Sequence, residues 1–574
     1  MIRNKILLIA AVSILGFSSC NDYLEPQELS IIQGKDIYKN LNYIQQMWVN
    51  SYSYLPAGYN SIYWSASDEA EAVNDQAEVQ KFNLGNWTKY GMPDEQWSSC
   101  YNGIRQCCEI IENLPGVTWE DYMYSDPVEY ERRIALMKEY VNEARFLKAY
   151  YYFELVKRYG GVPIVNKKIY LDNDDDLYFL KHIKRNTFEE CINFIASECT
   201  AVASELPLSY DASWKGRVTR GAALALKSRV LLYAASDLYN QSGNMNPYIG
   251  YISGDRTDRW LAAAQAANEV IDMGRYSLHT SYRNLFVLKS NESSKEVIWE
   301  RVSPNTNTLE RENYPIGYEG GNTGSCPTQN LVDAYEMSDG TLFDWSKLTV
   351  SQQPYINRDP RLKASVLVNE ESWCDRPLEV WEGGLDGKPR RYATKTGYYM
   401  KKLLVDNLNL QQDVKSTRQW FFFRYAEILL NYAEAANQYG GPDYKVEGGK
   451  LTAKAAIDLV RQRAGMPSVD KTFENRHDIL NKGSLLNLIY NERRVELAFE
   501  GHRWWDVRRL MQGQEALGGM IKGVRITQKQ DHSFDYQTIN IEKRVFKADK
   551  MYFYPIPQSE IVKSDGNLEQ NPNW

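Results

Sequence analysis

Residues 484–510 read SLLNLIYNERRVELAFEGHRWWDVRRL, and the rest of the chain is organised around this stretch. Ser484 can accept from a free backbone N–H and so cap a helix N-terminus. Leu486, Ile489, Tyr490 and Leu497 then fall on one side at helical spacing. Glu492, Glu496, Phe499 and Arg503 recur on another side at steps of three or four. Two such stripes predict a helix covered on more than one face. Charges removed from water must be paired, so Arg493, Arg494 and Arg503 are the expected partners of Glu492, Glu496 and Glu500. Gly501 should end or bend the helix, and His502 to Asp506 then swing Trp504 and Trp505 onto a neighbour. Glu496 and Glu500 resemble an acid–base pair. A general acid, however, needs a carboxyl raised by burial away from cations, and arginines crowd both residues. A structural ion network is expected here, and no catalytic residue is assigned.

At the other end, Arg3 and Lys5 precede a run of twelve mostly apolar residues, Ile6 to Phe17. That run is too short to span a bilayer. Phe17-Ser18-Ser19-Cys20 follows, which is the pattern of a bacterial lipoprotein leader. Residues 1–19 are therefore expected to be removed and Cys20 acylated. An acyl chain buries about 0.8 kcal/mol per methylene, and two or more make a stable anchor. No later segment has eighteen apolar residues in a row, so no membrane span is expected.

The formal charge is −7, which by bulk attraction disfavours nucleic acid or an anionic polymer as partner. The chain has 41 tyrosines and 15 tryptophans against 17 phenylalanines, a balance that favours half-exposed contact surfaces over a sealed core. Of the eight cysteines, Cys100 with Cys107, and Cys191 with Cys199, lie at helical repeats of seven and eight. Along a helix that is about 10 Å or more, too far for a disulfide. The expected role of the cysteines other than Cys20 is that of small buried apolar residues. There is no CxxC and the five histidines are scattered, so neither a zinc site nor any cofactor is expected.

The body reads as paired helices. Tyr130 to Tyr159 carries Met137, Val141, Ala144, Tyr151 and Leu155 on one stripe and stops at Gly160-Gly161. Thr187 and Glu190 form a capping box for a helix to about residue 205. Thr219 caps the next, Trp260 to Met273 and Phe423 to Tyr439 follow, and Thr452 caps Ala453 to Ala464. Ala144, Ala149, Ala223, Ala263, Ala267, Ala433 and Ala456 sit where helices must approach closely. The fold class is mainly α: a tetratricopeptide-like helix-pair scaffold, without a clean 34-residue copy. Residues 20–275 form an N-terminal helical region and 276–574 a C-terminal one. The latter is irregular over 276–419, helical over 420–510 and irregular again in its tail. Residues 524–527 and 551–554 read as short strands.

ERRVELAFEGHRWWDVRR resembles the most recognisable signature of the SusD/RagB family of outer-membrane nutrient-binding lipoproteins. EARFLKAYYYFELVKRYGGVPI at 143–164, RVTRGAALALKSRVLLYAA at 217–235, DAYEMSDG at 333–340 and RDPR at 358–361 are similar to further family segments. So are FRYAEILLNYAEAANQYG at 423–440, VRQRAGMP at 460–467, YPIPQSEI at 554–561 and LEQNPNW at 568–574, in the family's order. The resemblance implies a cell-surface lipoprotein of a Bacteroidetes-type bacterium, held in the outer membrane by a lipid anchor. It implies a partner transporter of the SusC type, TonB-dependent, and an oligosaccharide or peptide ligand that is bound and not turned over.

A ligand surface is sought among residues that packing leaves over. Residues 61–97 mix Trp64, Trp87 and Tyr90 with Asp68, Glu69, Asn74 and Asp75 and lack a sustained helical stripe. Aromatic faces suit the C–H surface of sugars, and carboxylates or amides suit hydroxyls. Trp64, Asp68, Asn74, Trp87 and Tyr90 are the expected border of one shallow site. Tyr318 and Trp381, with Tyr314 nearby, are further candidates in the glycine-rich middle. Trp97 and Tyr101 read as the start of a packed helix. Two other functions stay open. A glycoside hydrolase needs two opposed carboxylates about 5–10 Å apart, and a pure interaction scaffold would use the helical array alone.

Overall fold

The computed structural model describes residues 38–56, 58–59, 61–348 and 353–574. The expected leader and Cys20 lie outside the described residues. The principal helices are α1 (Leu41–Tyr52), α2 (Trp97–Asn113), α3 (Pro127–Tyr159), α4 (Phe188–Ala203) and α5 (Arg220–Ala235). They continue with α6 (Arg256–Asp272), α7 (Tyr425–Gly440), α8 (Ala453–Ala464), α9 (Lys482–Glu496) and α10 (Arg503–Arg509). Each packs on the next in the array: α2 on α3, α3 on α4, and so on to α7, which meets both α8 and α9. The fold is the mainly helical, tetratricopeptide-like scaffold that the periodicity predicts.

Local chemistry sets the helix ends. The Thr187 hydroxyl accepts from the Glu190 N–H while the Glu190 carboxylate accepts from the Thr187 N–H, so the box at the start of α4 closes both ways. Thr219 and Thr452 cap α5 and α8 by accepting from Ala222 and Ala455. α3 stops at Gly160, whose φ is +76°. A Cβ there would lie 2.2 Å from the Tyr248 carbonyl oxygen, so the stop admits only glycine. The seven alanines named above are all 0–1% exposed, which lets neighbouring backbones come close.

Several expected boundaries move. α9 begins at Lys482, not after Ser484: Asn481 is the cap, and Ser484 is the third helical residue that returns the bond to the Asn481 N–H. The buried stripe of α9 accordingly runs through Leu485, Leu488 and Ile489, with Leu486 half-exposed. α6 begins at Arg256 because Asp255 caps it. Phe423 is not helical; it belongs to a strand that ends at Arg424. Residues 551–554 form no strand. Met551 and Tyr554 are fully buried and Tyr552 and Phe553 nearly so, and the run packs as a plug under α10.

The irregular segment 273–424 leaves the array after α6 and returns at α7, and these two helices pack on each other. Its ends therefore meet. Strand β1 (Val297–Thr306) pairs antiparallel with β2 (Ser416–Arg424), from Val297 opposite Arg424 to Thr306 opposite Ser416, and closes its base. A hairpin of β3 (Met520–Gln528) and β4 (Phe534–Lys543) follows α10. The array and the insert have separate apolar cores, and Trp420 touches both. Six of the seven described cysteines are buried and all are free thiols, as their spacing predicts; Cys374 is half-buried. No helix among the described residues is long and apolar enough to cross a membrane.

Candidate functional site

The carboxylates of the signature segment are a clamp. Glu496 accepts from Arg424 at 2.7 Å and Arg361 at 3.0 Å, and also pairs with Arg463. Glu500 accepts from Arg424 and from Lys402, both at 2.6 Å. Glu492 accepts from Arg361 at 2.5 Å and Arg461 at 2.9 Å. The cations come from the insert, β2 and α8, not from the same helix as the spacing led us to expect. Arg493 turns instead to Asp506 and Asn431, and Arg494 and Arg503 turn to Asp68. Burial alone raises the Glu496 carboxyl, but Arg463, Arg424 and Arg361 outweigh it and hold the group well below the usual carboxylate range. Such a group cannot serve as an acid near neutral pH. Gly501, with φ +78°, breaks the chain between α9 and α10, and Trp504 and Trp505 then meet Phe82, Tyr63 and Tyr554.

Most residues expected to border the ligand belong to this core. Trp64 is 1% exposed and meets Phe499 edge-on, at ring centroids 6.3 Å apart. Asp68 is buried; Arg503 grips it at 2.7 and 2.9 Å and Arg494 at 2.7 Å. Trp87 is 3% exposed, wedged among Phe82, Tyr554 and Trp574. Neither ring has a face left for a ligand, so the expected single shallow site of these residues is corrected. Trp87 is held by that aromatic cluster, and the stretch after Trp64 by Arg544. Arg544 donates to the carbonyls of Ser65, Ser67 and Ala70 and to Glu71, and draws residues 65–71 inward. Tyr90 is 79% exposed but stands apart on a turn. The Tyr318 hydroxyl donates to the Trp373 carbonyl at 2.6 Å and Arg376 covers its ring at 3.9 Å. Trp381 rests on Phe534, and Tyr314 is buried.

Glu69 beside Asp68 behaves differently. Burial, and then the Asp68 charge, push its carboxyl up to about 8. The folded state therefore favours the protonated form. That contribution is complete below the ordinary carboxylate value near 4.5 and is lost as pH rises to about 8. Glu69→Gln should match the wild-type melting temperature near pH 4 and exceed it above about pH 8; parallel melting curves across pH check this, and equal curves throughout would refute it.

Asn74 is the one expected residue that meets a cleft. Strand residues Ala70–Ala72 pair antiparallel with Ser325–Pro327, Ala70 opposite Pro327 and Ala72 opposite Ser325. The Val73 N–H donates to the Gly324 carbonyl at 2.9 Å and extends the ladder. This register sets the loop after Ala72 beside the loop 312–324. The Thr323 hydroxyl then donates to the Tyr392 carbonyl at 2.6 Å and brings in a third segment. The result is a cleft of about 570 Å³, with Asn74, Glu78, Glu312, Asn322 and Tyr392 at its polar rim. Asn74 Oδ1 accepts from the Gln76 N–H at 3.0 Å, while its Nδ2 makes no hydrogen bond among the described residues. Tyr392 is 43% exposed and offers a ring. Burial raises the Glu312 carboxyl. Two amides, two carboxylates and a ring can meet several hydroxyls of a ligand at once. Glu312, Asn322 and Tyr392 escaped the sequence analysis, although Gly320-Gly321-Asn322-Thr323-Gly324 is a loop signal, and backbone bonds from Thr323 to Tyr314 and from Val73 to Gly324 hold that loop.

Together these elements define a class: a helix-pair array that carries an insert, with a polar cleft where the insert meets the N-terminal segment. The family model described as "SusD family" matches residues 295–574, and one described as "Starch-binding associating with outer membrane" matches residues 22–232. The chain belongs to the SusD/RagB family. A SusD-like protein of Bacteroides fragilis is 27% identical, with a TM-score of 0.75 over 94% of this chain and 98% of that one. A SusD-like carbohydrate binding protein of the same organism is 21% identical, with a TM-score of 0.72 over 93% of this chain and all of the other. SusD-like protein P38 of Formosa agariphila is 23% identical over 534 residues, 90% of this chain and 92% of its own length.

Proposed function

We propose that the protein is a lipid-anchored binding protein on the outer membrane, facing outward, that captures an oligosaccharide in the cleft and passes it to a TonB-dependent transporter of the SusC type. It binds its ligand without turning it over. The observation that carries this reading is the rim of Asn74, Glu78, Glu312, Asn322 and Tyr392, assembled from three distant segments in a chain of this family. A ring face and free amides suit a sugar's C–H surface and hydroxyls. The name of the Bacteroides fragilis carbohydrate binding relative supports the same ligand class.

A glycan and peptide binding screen on the purified chain tests the reading. Tyr392→Ala should weaken the captured glycan by about tenfold or more and leave the melting temperature nearly unchanged. Capture of peptides alone would move the ligand class, and hydrolysis products in the same assay would overturn the binding-only role. Cys20→Ala should release the protein from membranes; full retention would sink the anchor.

A further inference from the structure

We infer that the helical array holds a second ligand pocket, which takes an uncharged, hydroxyl-bearing molecule of about one sugar ring. It is a pocket of about 400 Å³, open to solvent on one side, between α3, α5, β2, the loop after α1 and the turn that joins α9 to α10. It shares no lining residue with the cleft. The short helix Ser61–Ala66 separates the two: Tyr63 lines the cavity, Ile62 and Ser65 line the cleft.

The lining is aromatic and its polar atoms are unspent. Tyr63, Tyr150, Tyr233, Trp420 and Trp505 supply rings, and His502 an imidazole. Tyr150 is 3% exposed, and Tyr233 and Trp505 are 5% exposed. Yet the hydroxyls of Tyr150 and Tyr233, the indole N–H of Trp505 and the ring of His502 make no hydrogen bond among the described residues, and none of the four is a sealed orphan. Buried polar groups are normally paired. Three buried groups and the half-buried His502 imidazole around one space point to a guest that pairs with them.

The charges at the cavity decide the guest's class. Lys157 bonds Glu154 at 2.6 Å, Arg229 bonds Glu427 at 2.6 Å, and Glu500 is held by Arg424 and Lys402. Each ion is already neutralised by the protein, so a charged guest would enter unpaired. The free groups include donors and groups that also accept, which matches hydroxyls. The rings match a compact C–H surface. The size lies within the usual range for a small-molecule site.

The test titrates the purified chain with D-glucose, D-galactose, D-mannose and myo-inositol at millimolar concentration, read by tryptophan fluorescence and calorimetry. At least one should give a saturable response. The double variant Tyr150→Phe/Tyr233→Phe keeps both rings and removes both hydroxyls; it should weaken that response by about tenfold or more. Tyr392→Ala, at the cleft, should leave it unchanged. If the double variant fails to fold, Trp505→Phe removes one donor and makes the same comparison. No saturable response to any probe overturns the inference, as does a response lost in Tyr392→Ala and kept when the hydroxyls are gone. Glycan capture at the cleft is read separately by Tyr392→Ala against oligosaccharides, so either site can fail alone.

Discussion

Glu496→Ala is expected to destabilise the fold by about 3–5 kcal/mol, because it breaks a buried ion cluster and takes one carboxylate from three buried arginines. Glu496 is fully buried and touches Arg361, Arg424 and Arg463 at once. Those arginines come from the insert, from β2 and from α8, so one carboxylate ties three segments to α9. Its removal leaves Arg463 with Glu296, Arg424 with Glu296 and Glu500, and Arg361 with Asp359 and Glu492. The dry interior then loses one negative charge, and all three arginines lose one of their partners at once. Denaturant unfolding measures the loss, and an unchanged midpoint would mean that water reaches the cluster. Acid should act in the same direction. The depressed carboxyl contributes stability above its ordinary value near 4.5, and that stability is lost as pH falls towards its folded value.

Trp87→Ala should cost about 3–5 kcal/mol as well, through a cavity instead of a charge. The ring centroid lies 4.6 Å from Trp574, 5.3 Å from Tyr554 and 5.3 Å from Phe82. Tyr554 in turn meets Trp505 and accepts from the Trp504 indole at 3.0 Å. Deleting Trp87 therefore loosens the C-terminal plug beneath α10 and should not act on ligand contacts. Thermal unfolding together with glycan binding separates the two roles. Full stability with lost binding would return Trp87 to the ligand surface.

Trp64 and Trp87 also show where sequence analysis loses its grip. Both rings sit in a segment without a helical stripe, flanked by Asp68, Glu69, Asn74 and Asp75, which has the composition of an exposed loop. Residues 65–71 are held inward by Arg544 and Trp87 by Tyr554 and Trp574, all more than 460 residues away in the chain. Nothing near residue 64 announces those partners. The same holds for Asp68, whose arginines stand at 494 and 503.

Sequence alone determined whatever rests on interactions within one or two turns. Caps at Thr187, Thr219 and Thr452, the glycine stop at Gly160, the small residues between helices and the family signature at 492–509 were all legible in order. Each is a bond or a steric fit between residues close in the chain, so spacing carries it. Tertiary structure alone decided which arginine meets which carboxylate and which rings are sealed. It also decided that a cleft forms from Asn74, Asn322 and Tyr392, segments that a three-residue ladder and one hydroxyl bring together. Charge pairs and aromatic rings accept many partners at similar local energy, and only the packed whole selects among them.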